Sequence, residues 1–289
     1  MKIQYLVAGL CVGALVLHFS SKNPAFANDS RCKVSKTETF SLTIDQAKRL
    51  QVGIGPDKLT LRGRRGDAGD IKVRFCASDD SRMDAMRADL AIRNENATLE
   101  LDHGGQSNRT SGGWFSRRKS SYSYFEIEGN LSALMDVDVS VGSGSANISG
   151  FSSANTIIGS GSLSVEDIAN KVSVTVGSGK ATLRNIGELD VGAIGSGSAE
   201  VRRVRGGVAV GSIGSGKAHL NQVEGNVSVG NIGSGSFRAE DVTDSVVVGS
   251  VGSGSVVVRN VEGDLTVRSK GSGSISHERV SGQVRVPNR

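Results

Sequence analysis

The chain has 289 residues, of which 39 are glycine and only 4% aromatic, with a formal net charge of +5. So little aromatic mass beside so much glycine excludes a bulky globular core, leaving either a linker-like chain or glycines that recur at a fixed period. The charge is too small for the concentrated basic face that nucleic acid demands, so no nucleic-acid partner is expected.

Residues 1–27 read as a secretory signal peptide. Lys2 supplies the positive start, Tyr5 to Phe19 form an apolar run broken only by His18, and Ala25-Phe26-Ala27 is a cleavage site. The run falls short of the ~20 residues that span a bilayer, so no transmembrane segment is expected after cleavage. Cys11 is preceded by Leu10 rather than the small residue of a lipoprotein signal. Removal of this segment takes Lys2 and Lys22 and no carboxylate, which lowers the net charge from +5 to +3. Cys32 and Cys76 remain, and an even pair in an exported chain favours a disulfide, worth about 4 kcal/mol in the chain-entropy account. Two cysteines without a nearby histidine make no closed zinc site.

Residues 28–141 are expected to form a β-rich cap. Phe40 to Ile44 alternates like a strand, Gly53 to Arg62 is a degenerate relative of the repeat that follows, and Ile71 to Phe75 is a second strand. Ser81 to Leu90 is assigned to a short helix, and Ala91–Asn94 with Thr98–Leu101 to a hairpin. Residues 104–123 are a loop by composition. They carry Arg109, Trp114, Phe115, Arg117, Arg118 and Lys119 and no carboxylate. Aromatics beside basic residues form a common contact patch, so Trp114, Phe115, Arg117, Arg118 and Lys119 are candidate partner-binding residues, against the alternative of a solvated, mobile insertion.

From residue 142 to 289 the tetrad Gly-Ser-Gly-Ser/Lys recurs eight times, starting at Gly142, Gly159, Gly177, Gly195, Gly214, Gly233, Gly252 and Gly271. A period of 17–19 residues with β-branched positions between the tetrads means stacked coils, an all-β single-stranded parallel β-helix. Within a unit, positions 5 and 7, and 14 and 16, alternate as strands do. The position-7 residues Ile148, Val165, Leu183, Val201, Leu220, Ala239 and Val258 form an expected interior ladder. Turns such as Val223-Glu224-Gly225-Asn226 join the strands, with the glycine expected at positive φ. In the last copy His277 replaces the position-7 aliphatic and Pro287 a glycine or its equivalent, and Lys270 and Arg289 stand at position 19 of the last two copies, which reads as a self-made cap against edge pairing.

Extending the alternation through the tetrad puts positions 1 and 3 inward and positions 2 and 4 outward. Two hydroxyl rows result. Ser143, Ser160, Ser178, Ser196, Ser215, Ser234, Ser253 and Ser272 form one; Ser145, Ser162, Ser198, Ser236, Ser255 and Ser274 form the other. The competing geometry is a sharp bend with the position-2 serines turned inward.

No catalytic, cofactor or metal site is expected. Gly142 to Asn147 starts like a dinucleotide fingerprint, and Gly211 to Ala218 is near a phosphate loop, but a strand rather than a helix follows each. Lys180 and Lys217 read as exposed decoration of the serine slot. No tetrad carries a calcium-ligating Asp, and His103, His219 and His277 are scattered. Asp167 and Asp241 share position 9 with Asn185, Arg203 and Gln222 between them, a polar outer turn rather than a carboxylate pair.

The exported start, the early Cys32 and Cys76, the strand-rich cap and the run of GSGS-strand-turn-strand units resemble the bacterial putative-adhesin proteins of the β-strand-repeat and head-GIN-domain type. The resemblance implies a parallel β-helix and a non-enzymatic role in adhesion or as an envelope scaffold. Its partner would be an unknown protein or polysaccharide of the envelope or a surface, and its location periplasmic or secreted. The alternatives are an ice- or surface-binding solenoid using the serine ladders, which lack the threonine methyls such a surface wants, and a polysaccharide-active β-helix enzyme, for which no clustered carboxylates are present.

Overall fold

Glycines too frequent for helix and β-branched residues at alternating positions leave extended structure as the one regular option. The computed structural model describes residues 32–105 and 121–287. The signal peptide and the candidate patch Trp114, Phe115, Arg117, Arg118 and Lys119 lie outside the described residues.

Each repeat makes two strands, which run together as one in the second and third copies, Ser162–Val176 and Lys180–Ile194. One runs from tetrad position 4 to position 10, as in Ser198–Val204, and the other occupies the second half, as in Val208–Ile213. Each pairs in parallel with its counterpart one coil on: Val201 faces Leu220, and Val210 faces Val229. The result is a β-solenoid with two parallel ladders facing one another. The inward ladder Ile148, Val165, Leu183, Val201, Leu220, Ala239 and Val258 is buried throughout. Register slips between the second and third coils, near Ile168–Lys171 and Val174–Val176, and between the third and fourth the offset changes between Ile186 and Leu189, so much of the length difference between coils is taken up at the mid-coil turn.

The solenoid gains two further coils from the N-terminal region. The strands β1 (Val34–Thr43), β2 (Arg49–Ile54), β3 (Lys58–Arg64) and β4 (Ala68–Ala77) precede a single turn and a half of helix, α1 (Asp80–Ala85). Then come β5 (Arg87–Arg93), β6 (Asn96–Asp102), β7 (Ser123–Ser132), β8 (Asp136–Val141) and β9 (Ser145–Ser149). β2 and β3 pair in parallel with β8 and β9, and on their other side with β6 and β7. Gly55-Pro56-Asp57-Lys58 is therefore the tetrad of a degenerate coil. β4 then joins β7, and β5 joins β6, in antiparallel fashion, and β1 covers β4. Reversing strand direction ends the stack, and this end is sealed by Phe75 and Phe125, packed edge to face at 5.0 Å. Cys32 and Cys76 are disulfide-bonded, tying the start of the described chain to β4.

Several local expectations change. The helix stops at Ala85 because Arg87–Leu90 is recruited to the hairpin β5–β6, whose turn residues Asn94 and Glu95 both have positive φ (48° and 61°). In the solenoid, positive φ falls at position 9 and not at the turn glycine. Asp167, Asn185, Arg203, Gln222, Asp241, Asn260 and Arg279 have φ of 53–62°, and Gly150 has 77°. This kink supplies each coil's third bend. Gly225 is small for another reason: a Cβ there would lie 2.8 Å from the Gly206 carbonyl carbon of the coil before.

Candidate functional site

At the tetrad the chain turns sharply. Position 19 is buried (Ile213), positions 1 and 2 of the next copy are both exposed (Gly214, Ser215), and position 3 is buried again (Gly216). Two successive exposed residues cannot belong to one alternating strand, so position 1 points outward, contrary to the simple extension of the strand pattern. Position 3 must be glycine. A Cβ on Gly179 would lie 2.2 Å from the Gly161 oxygen and 2.7 Å from Ile158 Cγ2. The bend is thus sharp, yet its position-2 serines are exposed in all eight coils.

Stacking these bends cuts a shallow open groove along one edge of the rod. It is lined by serines from Ser143 to Ser215, by Lys180 and Lys217, and by the position-3 glycines as a floor. The backbone donors here are already used. Ser178 N donates to Gly159 O at 2.7 Å, and Lys180 N to Gly161 O at 3.0 Å. The hydroxyls are not. Among the described residues the one hydrogen bond from a position-2 hydroxyl to protein is Ser272 Oγ to Ser253 Oγ at 3.1 Å. Glycine at position 3 is demanded by packing, whereas serine at position 2 is not.

The outer face of the position-4-to-10 strands is different. Arg184 pairs with Glu166 at 3.3 Å, and Arg259 bridges Glu240 and Glu278, at 3.4 Å each. Glu240 also bonds His219 at 3.2 Å, and Arg238 Nε lies 3.1 Å from it, out of line for a hydrogen bond. Partial burial pushes the Glu240 carboxyl up, but His219 and the two guanidiniums outweigh it and hold it below the usual carboxylate range. These groups satisfy each other across coils, which suits a solvated structural face. At position 9 the side chains also bond from coil to coil, Asn185 to Asp167 at 2.9 Å and Asn260 to Asp241 at 2.7 Å.

One constellation was missed in the sequence. Asp57 takes the third tetrad place, where every later copy has glycine. The coil before it carries no tetrad, so space exists for a side chain. The buried carboxylate accepts from Gly55 N at 2.9 Å, Phe125 N at 2.8 Å and His103 Nε2 at 2.7 Å. The hydrogen bond to Asp57 raises the His103 pKa against the opposing effect of burial, helped by the Asp57 and Asp102 charges. Ser123 Oγ donates to the His103 carbonyl at 3.2 Å, so the two ends of the 104–123 stretch are pinned together. Tyr122 is fastened as well, its hydroxyl accepting from Lys33 N at 3.2 Å. The signal was an acid breaking the glycine pattern of a degenerate tetrad. Among the described residues no group of three His, Cys, Asp or Glu side chains could hold a metal ion, and no helix is long and apolar enough to cross a membrane.

No family model and no curated protein matches the chain. Solved structures do. A protein named as a putative lipid binding protein from Parabacteroides distasonis superposes with a TM-score of 0.54 at 18% identity, covering 83% of this chain and 96% of that one. A putative adhesin from Parabacteroides merdae gives 0.51 at 16% identity, over 84% and 96%. A second putative adhesin, from P. distasonis, gives 0.50 at 17%, over 84% and 97%. The likeness is one of fold, and it falls on the adhesin-type proteins that the repeat resembles.

Proposed function

We propose that this is an exported, non-enzymatic solenoid that binds a partner of the envelope or of an external surface along its tetrad groove. The reading rests on one observation: eight exposed serines recur at position 2 with almost no bond to the protein, although the fold asks only for glycine at its neighbours. A hydroxyl at every coil that packing does not need is surface chemistry kept for contact. The Cys32–Cys76 bond fits an oxidising compartment, as does the signal-like segment 1–27. The adhesin-like fold neighbours support a role in attachment, and fold alone carries that no further.

The test is capture from envelope extract by the immobilised mature chain and by Ser178→Gln/Ser215→Gln. Both positions are exposed, so the variant keeps the fold while filling the groove. Loss of retained material in the variant supports the reading. Equal retention by both proteins moves the contact surface elsewhere.

A further inference from the structure

The tetrad edge carries exposed charge of one sign only. Position 4 is Lys58 in the degenerate coil and Lys180 and Lys217 farther on, with serine in the coils between, all in one parallel register. The acid in this edge, Asp57, is buried. Exposed carboxylates of the repeats lie instead on the strand face and along the turn edge, among them Glu200, Glu224, Asp241 and Glu262. The fold does not require the lysines, since serine fills the same slot in neighbouring coils. Lys180 shares a 3.1 Å ion pair with Glu200, but both side chains are half exposed, at 54% and 52%, and such a pair is cheap to exchange. Among the described residues Lys217 has no ion pair.

We infer that the groove takes a linear anionic polysaccharide laid along the rod axis. Lys180 and Lys217 hold successive negative groups of its chain, and the tetrad hydroxyls bond its sugar hydroxyls. This rests on the groove being the binding surface, and adds the class of ligand. Three features select it. The groove is open at its sides and runs across coils from Ser143 to Lys217, which suits a chain rather than a compact molecule. Its lining is glycine, serine and lysine, with no apolar side chain to receive a lipid tail or an apolar peptide. Serine hydroxyls both donate and accept, as sugar hydroxyls do. Lys180 and Lys217 are two coils apart, about 10 Å at the spacing of paired strands. That is sparse for nucleic acid, whose phosphates are closely set and whose bases want aromatic platforms. It suits a polymer charged at intervals, and a lysine is a point charge on a flexible stem that adapts to it.

The experiment is affinity electrophoresis of the mature chain through hyaluronan, which carries one carboxylate per disaccharide, or neutral dextran, with Lys180→Ser/Lys217→Ser as the key variant. Serine is the native occupant of that slot in adjacent coils, so the variant folds. Lys48→Ser/Lys171→Ser removes the same charge away from the groove. The expected result is retardation by hyaluronan and not dextran, weakened by added salt, at least tenfold weaker in the groove variant and unchanged in the control pair. The inference is overturned if hyaluronan does not retard the wild type, or if the groove variant binds it as well. Equal binding of both glycans, lost in Ser178→Gln/Ser215→Gln, removes the anionic class but keeps the groove. Binding that survives in that variant removes the groove reading itself.

Discussion

His103 donates from Nε2 to Asp57 Oδ1 across 2.7 Å, and the carboxylate that receives it is fully buried while the ring is partly open to solvent. The bond raises the imidazole pKa above its ordinary 6.5. A group whose folded pKa is raised stabilises the fold when protonated. Its contribution is complete below the unfolded value and is lost as pH rises through the folded one. Chemical denaturation of the mature chain should therefore show stability falling as pH rises above 6.5, and His103→Asn should flatten that fall. An unchanged pH slope in the variant would assign the effect to other groups.

Val258 is completely buried in the position-7 ladder. Val258→Asp places a carboxylate there without a partner, at a cost of several kcal/mol. Thermal unfolding should show a fall of many degrees. A midpoint within a degree or two of wild type would contradict the inward register.

Gly216 and Ser215 are adjacent residues with opposite tolerance. A Cβ on Gly216 would lie 2.4 Å from the Gly197 oxygen, so Gly216→Ala must push two coils apart. Ser215 is exposed, and Ser215→Ala should change stability by no more than about 0.5 kcal/mol. Denaturant midpoints separate the two, with the glycine variant well below wild type and the serine variant beside it.

Gln222 holds a φ of 62°, a conformation that a side chain longer than Asn or Asp occupies at a cost. Gln222→Asn should stabilise by up to about 1 kcal/mol. Asn185 and Asn260 already fill the same place in other coils. A variant no more stable than wild type would mean that the 3.4 Å bond from Arg203 to the Gln222 side chain matters more than backbone strain.

Cys32 and Cys76 close a separation of 44 residues. Cys32→Ser/Cys76→Ser should lose up to about 4 kcal/mol, chiefly by freeing the unfolded chain. Thiol titration of the unfolded, unreduced mature chain, which lacks Cys11, should find no free thiol. Two reactive thiols would remove the staple from the account of this end.

The repeat period, the parallel coils, the inward ladder and the cysteine pairing were legible in the sequence alone. The physical reason is that each depends on local alternation or on a spacing that recurs, and eight copies of a pattern repeat its signal eight times. What the chain does at its bends was not legible. Alternation carries no information where the backbone turns, so the outward position-1 glycines and the φ of 57° at Asp167 depend on how one coil lies on the next. The same holds for the N-terminal region. Only the tertiary structure placed β2 between β6 and β8 and β3 between β7 and β9, because pairing between distant strands is set by stacking and not by neighbours in sequence. It also brought His103 to Asp57 across 46 residues, closing a carboxylate site that a single tetrad out of pattern merely hinted at.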